Sequence, residues 1–226
     1  MEAFTIIEGK SKDKTTGAIP DILSKALAVT FDTNVGHDYL NDSDDRFDFY
    51  HRTEERIPFA LEKMNLITKG GVPRKTLNIV MAGTGVGKTI FLCDMSATYL
   101  TQGKNVLYIT MEMAEERIAE RIDANLMNVD ISQIENMSKD MYSDKVSKIA
   151  AKTNGKLIIK EYPTGAAHAG HFRALLNELK LKKNFAPDVI MIDYLNICAS
   201  SRLKGLGNSI NTNTLVKTIA EEIRGL

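Results

Sequence analysis

The sequence predicts an α/β fold with a parallel sheet covered by helices on both faces, and three observations carry that prediction. Apolar runs of strand length alternate with helix-length segments from Thr76 onward. A glycine-rich turn, "VMAGTGVGKTIFL" (Val80–Leu92), stands between an apolar run and an amphipathic segment. A later apolar run, "DVIMIDYL" (Asp188–Leu195), carries an aspartate near its end.

Composition narrows the class. The chain has 226 residues, 29 basic and 29 acidic, with a hydrophobic share of 43%. That suits one sizeable core plus an appendage. Zero formal charge excludes a generally basic nucleic-acid binder but leaves room for a local basic patch. No apolar run approaches the roughly 20 residues of a membrane span. The first residues, "MEAFTIIEGKSKDKTTGAIP", lack the long apolar core of a secretory signal. A cytoplasmic protein is expected, of the host cell if the gene is viral. Cys93 and Cys198 lie inside apolar segments without CxxC spacing, as buried thiols of a reducing compartment do.

Three regions follow along the chain. Residues 1–16 are polar and charged, a flexible N-terminus by composition. Residues 17–56 read as a linker. Its "GAIPDILSKALAVTF" places Ile22, Leu23, Ala26 and Leu27 on one face, with Pro20 and Asp21 suited to a first turn. This Ile19–Val29 helix fits either packing on its own core or docking on a neighbouring subunit. The following acidic, aromatic stretch contains "DSDDRFD", which lacks the glycine and closing glutamate of a calcium loop and reads as solvated linker. Residues 57–226 form the third region.

Within it, strands are expected at Thr76–Ala82, Asn105–Met111, Lys156–Tyr162 and Asp188–Leu195. Helices are expected at Lys88–Thr101, ended by Gly103, and at Ala114–Met127, Phe172–Lys183 and Asn213–Arg224. Further helical turns fall between Ile131 and Lys152. Leu215, Ile219 and Ile223 share one face of the last helix.

The glycine-rich turn reads as a phosphate-binding loop. Ala82, Gly83, Thr84, Gly85, Val86, Gly87, Lys88 and Thr89 fit the GxxxxGK[ST] pattern, with alanine in the place of the first glycine. The glycines leave room for phosphate against backbone N–H groups. The helix starting at Lys88 points its positive end at an anion. In such a loop the lysine reaches the β/γ-phosphates of ATP and the threonine hydroxyl coordinates Mg²⁺. Asp193 is the metal carboxylate candidate, although a strand-end aspartate also caps turns. Glu112 ends the second strand on the same sheet edge, because parallel strands share their C-terminal edge. It suits either activation of an attacking water or the acidic first turn of the next helix.

Weaker candidates remain. His168 and His171 have a metal-compatible spacing but no partner, and read as loop and helix-start residues. "KLKKN" (Lys180–Asn184) reads as the positive end of a helix. Arg202 and Lys204 lie in a Gly/Ser/Asn-rich loop that either contacts phosphates of a bound strand or is an idle surface loop.

Three segments carry a family resemblance: "IPFALEKMNLITKGGVPRKTLNIVMAGTGVGKT", "LYITMEMAEERIAERIDAN" and "DVIMIDYLNIC". They resemble the DnaB-type hexameric replicative DNA helicases, and among them those of T4-like bacteriophages. The resemblance runs from about Gly17 to Leu226. It implies a RecA-like P-loop core preceded by a linker helix. It implies a ring hexamer that encircles single-stranded DNA, translocates 5′ to 3′ and unwinds duplex at the replication fork, with primase and a helicase loader as partners. Glu112 matches the family's catalytic glutamate, Lys88 and Thr89 its phosphate-loop pair, and Asp193 its metal aspartate. The Ile19–Val29 helix matches the segment that docks on the adjacent subunit, and the loop of Arg202 and Lys204 a DNA loop of the central channel.

The resemblance also implies parts that do not occur in these residues: an N-terminal collar, a strand with a polar sensor residue between the loop strand and the Asp193 strand, an arginine finger and a further DNA loop. The chain therefore reads as the middle of a longer protein, a truncated or split gene product. A sheet without that central strand is expected to fold poorly alone or to need a complementary piece. Two other functions share the same motifs: a RecA-type recombinase or regulatory ATPase, and a non-catalytic helicase fragment.

Overall fold

The computed structural model describes residues 36–52, 54–202 and 211–226. The expected docking helix Ile19–Val29, the N-terminal 1–16 segment and Lys204 lie outside the described residues. The chain divides into two compact units, one ending at Thr53 and one beginning at Glu54.

In the first unit, α1 (Ser43–His51) has no buried residue. Asp44 and Asp45 occupy its first turn, where the helix dipole favours negative charge. The acidic stretch expected as an open linker is thus partly a solvated helix. Among the described residues, no cluster of three or more His, Cys, Asp or Glu side chains is placed to hold a metal ion.

The second unit opens with a small antiparallel pair, β1 (Arg56–Ile57) on β2 (Val72–Pro73), enclosing α2 (Glu62–Ile67). The Asn65 side chain closes this excursion. Its Oδ1 accepts the Phe59 N–H at 2.7 Å and its amide donates to the Phe59 carbonyl at 2.8 Å. After the glycine-rich loop come α3 (Lys88–Thr101), β3 (Val106–Thr110), α4 (Glu115–Met127), α5 (Ile131–Glu135), α6 (Lys139–Ala150), β4 (Leu157–Glu161), α7 (Ala169–Lys183), β5 (Val189–Asp193) and α8 (Thr212–Arg224).

The main sheet has three strands in the order β4-β3-β5, all parallel. Val106 faces Leu157 on one side and Val189 on the other, so the three strands start level and end level. Asn105 sets that register. Its side-chain oxygen accepts the Lys156 N–H at 3.1 Å, its amide donates to the Ala186 carbonyl at 3.2 Å, and its backbone N–H donates to Asp188 Oδ2 at 2.8 Å.

Every residue of β3 is buried, as a central parallel strand requires. Its side chains alternate between two cores. Leu107, Ile109 and Met111 pack with Phe172, Leu175 and Leu179 of α7 and with Ile219 and Ile223 of α8. Val106 and Tyr108 pack with Cys93, Met95 and Tyr99 of α3 and with Ile118 and Ile122 of α4. Helices therefore cover both faces, as the alternating pattern predicts.

One expected strand does not form. Thr76–Ala82 joins no ladder, and Ile79 and Met81 are 55% and 88% exposed. An apolar run becomes a strand only where a neighbour takes its N–H and C=O groups. Among the described residues β5 pairs with β3 alone, and no strand bridges from its other edge to this segment. Leu77 still packs against the core cluster shared by α7 and α8.

Smaller differences have local causes. α7 starts a turn before the expected Phe172 because His168 caps it. β5 ends at Asp193, where the chain turns into a short 3-10 segment, Leu195–Ile197, in place of a longer strand.

Candidate nucleotide-binding site

The glycine-rich loop has the backbone its residues predict. Gly85 has φ 74° and Gly87 φ 110°, both in the left-handed region that a Cβ disfavours. A Cβ built on either meets no atom within 4 Å, so the loop surrounds open space. Gly83 does not need this freedom, because its φ is not positive. Gly87 is the N-cap of α3, and no side chain caps the helix start. The first N–H groups of α3 are thereby left for a ligand. Ala82, Thr84 and Val86 are exposed, and Thr89 is half-buried in the first turn.

Lys88 folds back over its own loop. Its Nζ donates to the Ala82 carbonyl at 3.1 Å and to the Gly83 carbonyl at 3.0 Å. The same ammonium lies 5.9 Å from the centre of the Tyr194 ring. Tyr194 follows Asp193 directly, so the tertiary structure brings the lysine beside the end of β5.

Asp193 is 1% exposed. Its Oδ2 accepts the Tyr108 hydroxyl at 3.0 Å, whereas Oδ1 is buried without a hydrogen-bond partner among the described residues. A buried carboxylate oxygen without a partner is costly. Burial first, then the neighbouring Cys93 and Asp193, push the Tyr108 phenol well above its ordinary range. Tyr108 therefore stays protonated and donates. Cys93 and Cys198 are both free and buried, as expected. Burial raises the Cys93 thiol to about 11 and the Cys198 thiol to about 12.

Glu112 lies on the same edge. Thr110 stands opposite Asp193 in the ladder, and the Met111 N–H donates to the Asp193 carbonyl at 3.0 Å. The turn carrying Glu112 is braced on both sides. The Thr110 hydroxyl donates to the Met113 carbonyl at 2.8 Å and accepts the Met113 N–H at 3.1 Å. The Thr164 hydroxyl donates to the Met111 carbonyl at 2.6 Å. The Glu112 side chain is exposed on this fixed turn. Glu115 and Glu116, not Glu112, form the acidic first turn of α4, whose N-cap is Ala114.

Arg202 lies apart from these groups, on the segment after β5. It is exposed, and its guanidinium meets Glu221 at 3.3 Å. The neighbouring Glu222 is buried at 8% exposure and holds the base of this segment. Its carboxylate accepts the Ser200 hydroxyl, the Ser201 N–H and hydroxyl, and the Arg202 N–H. Burial acts to raise the Glu222 carboxyl, but these hydrogen bonds prevail and hold it at about 2.

The histidines take the helix-start role expected of them. His168 is the N-cap of α7, where its Nδ1 accepts the Gly170 N–H at 3.0 Å. The His168 backbone N–H donates to His171 Nδ1 at 3.3 Å. Lys180, Lys182 and Lys183 fill the last turn of α7, also as expected.

Sequence reasoning missed Tyr108, Thr110 and Glu222. Tyr108 and Thr110 read as ordinary residues of an apolar strand, and Glu222 as one polar position of an amphipathic helix. Tyr108 and Glu222 meet partners 85 and 22 positions away, which no local spacing signals.

Comparison with known proteins bears on the family and the fold. The profile of the DnaB-like helicase C terminal domain matches residues 57–226. A DnaB-like replicative helicase of Enterobacteria phage T4 is 51% identical over 213 residues, covering 93% of this chain and 44% of its own length. A "Probable plasmid replicative DNA helicase" of Chlamydia psittaci is 29% identical over 154 residues, covering 66% of this chain and 31% of its own length. The chain thus spans less than half the length of both relatives. A solved DnaB-like replicative helicase, described with its interactions with primase, superposes with a TM-score of 0.59 at 17% identity, over 99% of this chain and 52% of that one. A solved ATPase domain superposes with a TM-score of 0.60 at 15% identity, over 92% of this chain and 66% of that one. These two likenesses show a common fold, the RecA-like α/β ATPase fold. With a family profile matching three-quarters of its length, the chain belongs to the DnaB-like helicases, through the C-terminal domain of that family.

Proposed function

We propose that this chain is the nucleotide-handling part of an ATP-driven replicative DNA helicase. One observation carries the reading: Asp193 and the braced turn of Glu112 share one sheet edge, and the Lys88 ammonium of the glycine-rich loop lies 5.9 Å from the ring centre of Tyr194, the residue after Asp193. Ligands of parallel α/β sheets bind at this C-terminal edge, which supports a shared role for the three groups.

The residues fit ATP and Mg²⁺. The open loop around Gly85 and Gly87 suits a polyphosphate, and the unpartnered Asp193 Oδ1 suits a cation or its bound water. Bound Mg²⁺ would offset charge on the β/γ oxygens as the terminal phosphate leaves. The loop amides and the start of α3 bind the phosphates, and Lys88 exchanges its two carbonyl partners for phosphate oxygens. The Thr89 hydroxyl and Asp193 hold the metal side of the site. Glu112 orients the attacking water and accepts its proton at the side-chain carboxylate.

The rest of the activity belongs to a larger assembly. In this reading Arg202 and Lys204 contact phosphates of single-stranded DNA. The Ile19–Val29 helix joins neighbouring subunits of a ring hexamer. Primase and a helicase loader are partners at the fork. The site of action is the cytoplasm, of the host if the chain is phage-encoded. Among the described residues, no helix is long and apolar enough to cross a membrane.

The test measures Mg²⁺-dependent ATP binding, ATP turnover and strand displacement on a forked duplex with a 5′ tail. Binding is expected in the wild-type chain and lost in Lys88→Ala. Turnover is expected to be lost in Glu112→Gln with binding retained. Absence of Mg²⁺-dependent ATP binding in the wild-type chain overturns the proposal. Binding without turnover leaves a nucleotide-binding subunit rather than a motor.

A further inference from the structure

The geometry points to Tyr108 as the positioning residue that orients Asp193 toward a divalent cation, an inference that rests on the nucleotide-site reading above. Asp193 is a carboxylate at 1% exposure with a single hydrogen-bond partner in the described chain, the Tyr108 hydroxyl on Oδ2 at 3.0 Å. A free carboxylate rotates about its last torsion and exchanges its two oxygens. One bond from a rigid phenol removes that freedom and leaves Oδ1 as the oxygen available to a cation, directly or through a bound water.

The phenol is itself enclosed in the core. Tyr108 is fully buried in the central strand, opposite Met191 of β5. Asp193 lies two residues beyond Met191 and therefore on the same face, at the diagonal distance an aromatic side chain spans. Cys93 packs in the same buried cluster as the Tyr108 side chain. Cys93 belongs to α3, the helix that the glycine-rich loop opens. Tyr108 thus ties the helix bearing Lys88 and Thr89 to the strand bearing Asp193. Such outer partners of metal ligands are worth roughly 10–100-fold in metal affinity.

The experiment measures the affinity of a fluorescent ATP analogue for the 226-residue chain, with and without Mg²⁺. Tyr108→Phe removes only the hydroxyl. Tyr99→Phe, at another buried tyrosine of the same core, is the control. In Tyr108→Phe the gain in affinity that Mg²⁺ confers is expected to fall by roughly tenfold, with Mg²⁺-free affinity unchanged. Tyr99→Phe is expected to keep the full gain. Added to Asp193→Asn, Tyr108→Phe is expected to cause no further loss. A full Mg²⁺ gain in Tyr108→Phe overturns the inference, and so does an equal loss with and without Mg²⁺. A wild-type chain that binds nucleotide without any Mg²⁺ gain overturns the metal-site reading instead, and this inference with it.

Should Tyr108→Phe fail to fold, the wild-type chain supplies a second readout. Mg²⁺ added to the nucleotide-bound protein is expected to perturb the ultraviolet absorbance of a buried tyrosine, with the signal lost in Asp193→Asn. No perturbation in the wild-type chain overturns the inference.

Discussion

The Glu222 carboxylate accepts the Ser200 hydroxyl at 2.6 Å, joining the last turn of α8 to the segment that leaves the sheet after β5. The same carboxylate accepts Ser201 at 3.1 Å from its N–H and 2.9 Å from its hydroxyl, and the Arg202 N–H at 3.2 Å. Glu222→Ala leaves several of these donors unpaired in a largely buried place. The expected cost is about 1–3 kcal/mol, read by urea unfolding. Glu221→Ala removes only the exposed ion pair to Arg202, which is worth about 1 kcal/mol or less. It is expected to leave stability unchanged while freeing Arg202 for phosphate, so single-stranded DNA affinity holds or rises.

The same contacts give Glu222 a pH signature. Its ordinary value is 4.5 and its folded value is about 2, so the folded state binds the proton less readily than the unfolded one. The stability it contributes is fully present above about 4.5 and is lost as pH falls from there toward 2. Melting temperature followed through that window is expected to fall more steeply for the wild-type chain than for Glu222→Gln. Parallel curves refute it.

Thr110 and Glu112 are expected to separate geometry from chemistry. Thr110→Val removes both hydrogen bonds to Met113 and loosens the turn that presents Glu112. Turnover is expected to fall with nucleotide affinity retained, and the protein to lose about 1 kcal/mol of stability. Glu112→Gln leaves the turn intact and is expected to cost turnover about 10²–10⁴-fold at unchanged stability. Steady-state ATPase assays and thermal melts on the same samples decide it.

Ile79, Val80 and Met81 are exposed in succession, and one edge of β5 pairs with nothing among the described residues. Apolar patches and open edges of this kind associate. The isolated chain is expected to bind a hydrophobic dye and to self-associate in light scattering. Met81→Lys is expected to reduce both, and a monodisperse wild-type chain with no dye binding would sink the prediction.

Much of the fold and part of the site were legible in the residues. The helix from Lys88 to Thr101 falls where the glycine-rich turn and Gly103 place it. Strands β3, β4 and β5 fall inside the expected apolar runs, each trimmed by one or two residues at either end. The Thr76–Ala82 run was misread, because apolarity marks a segment able to join a sheet without showing that a neighbouring edge exists. The support around the candidate site was also hidden, since Tyr108 meets Asp193 across 85 positions and Ser200 meets Glu222 across 22.

Residue spacing displays what depends on near neighbours: glycine where φ is positive, a helix opened by a lysine, an aspartate after an apolar run, histidines at a helix start. Those features are set by sterics and hydrogen bonds a few residues apart. Spacing does not display that Lys88 folds onto its own loop beside Tyr194, that Tyr108 holds one oxygen of Asp193, or that Thr110 and Thr164 brace the turn of Glu112. Of these, the Tyr108–Asp193 and Thr164–Met111 bonds join distant chain segments brought level by the parallel ladder. Register, not local composition, chooses the partners.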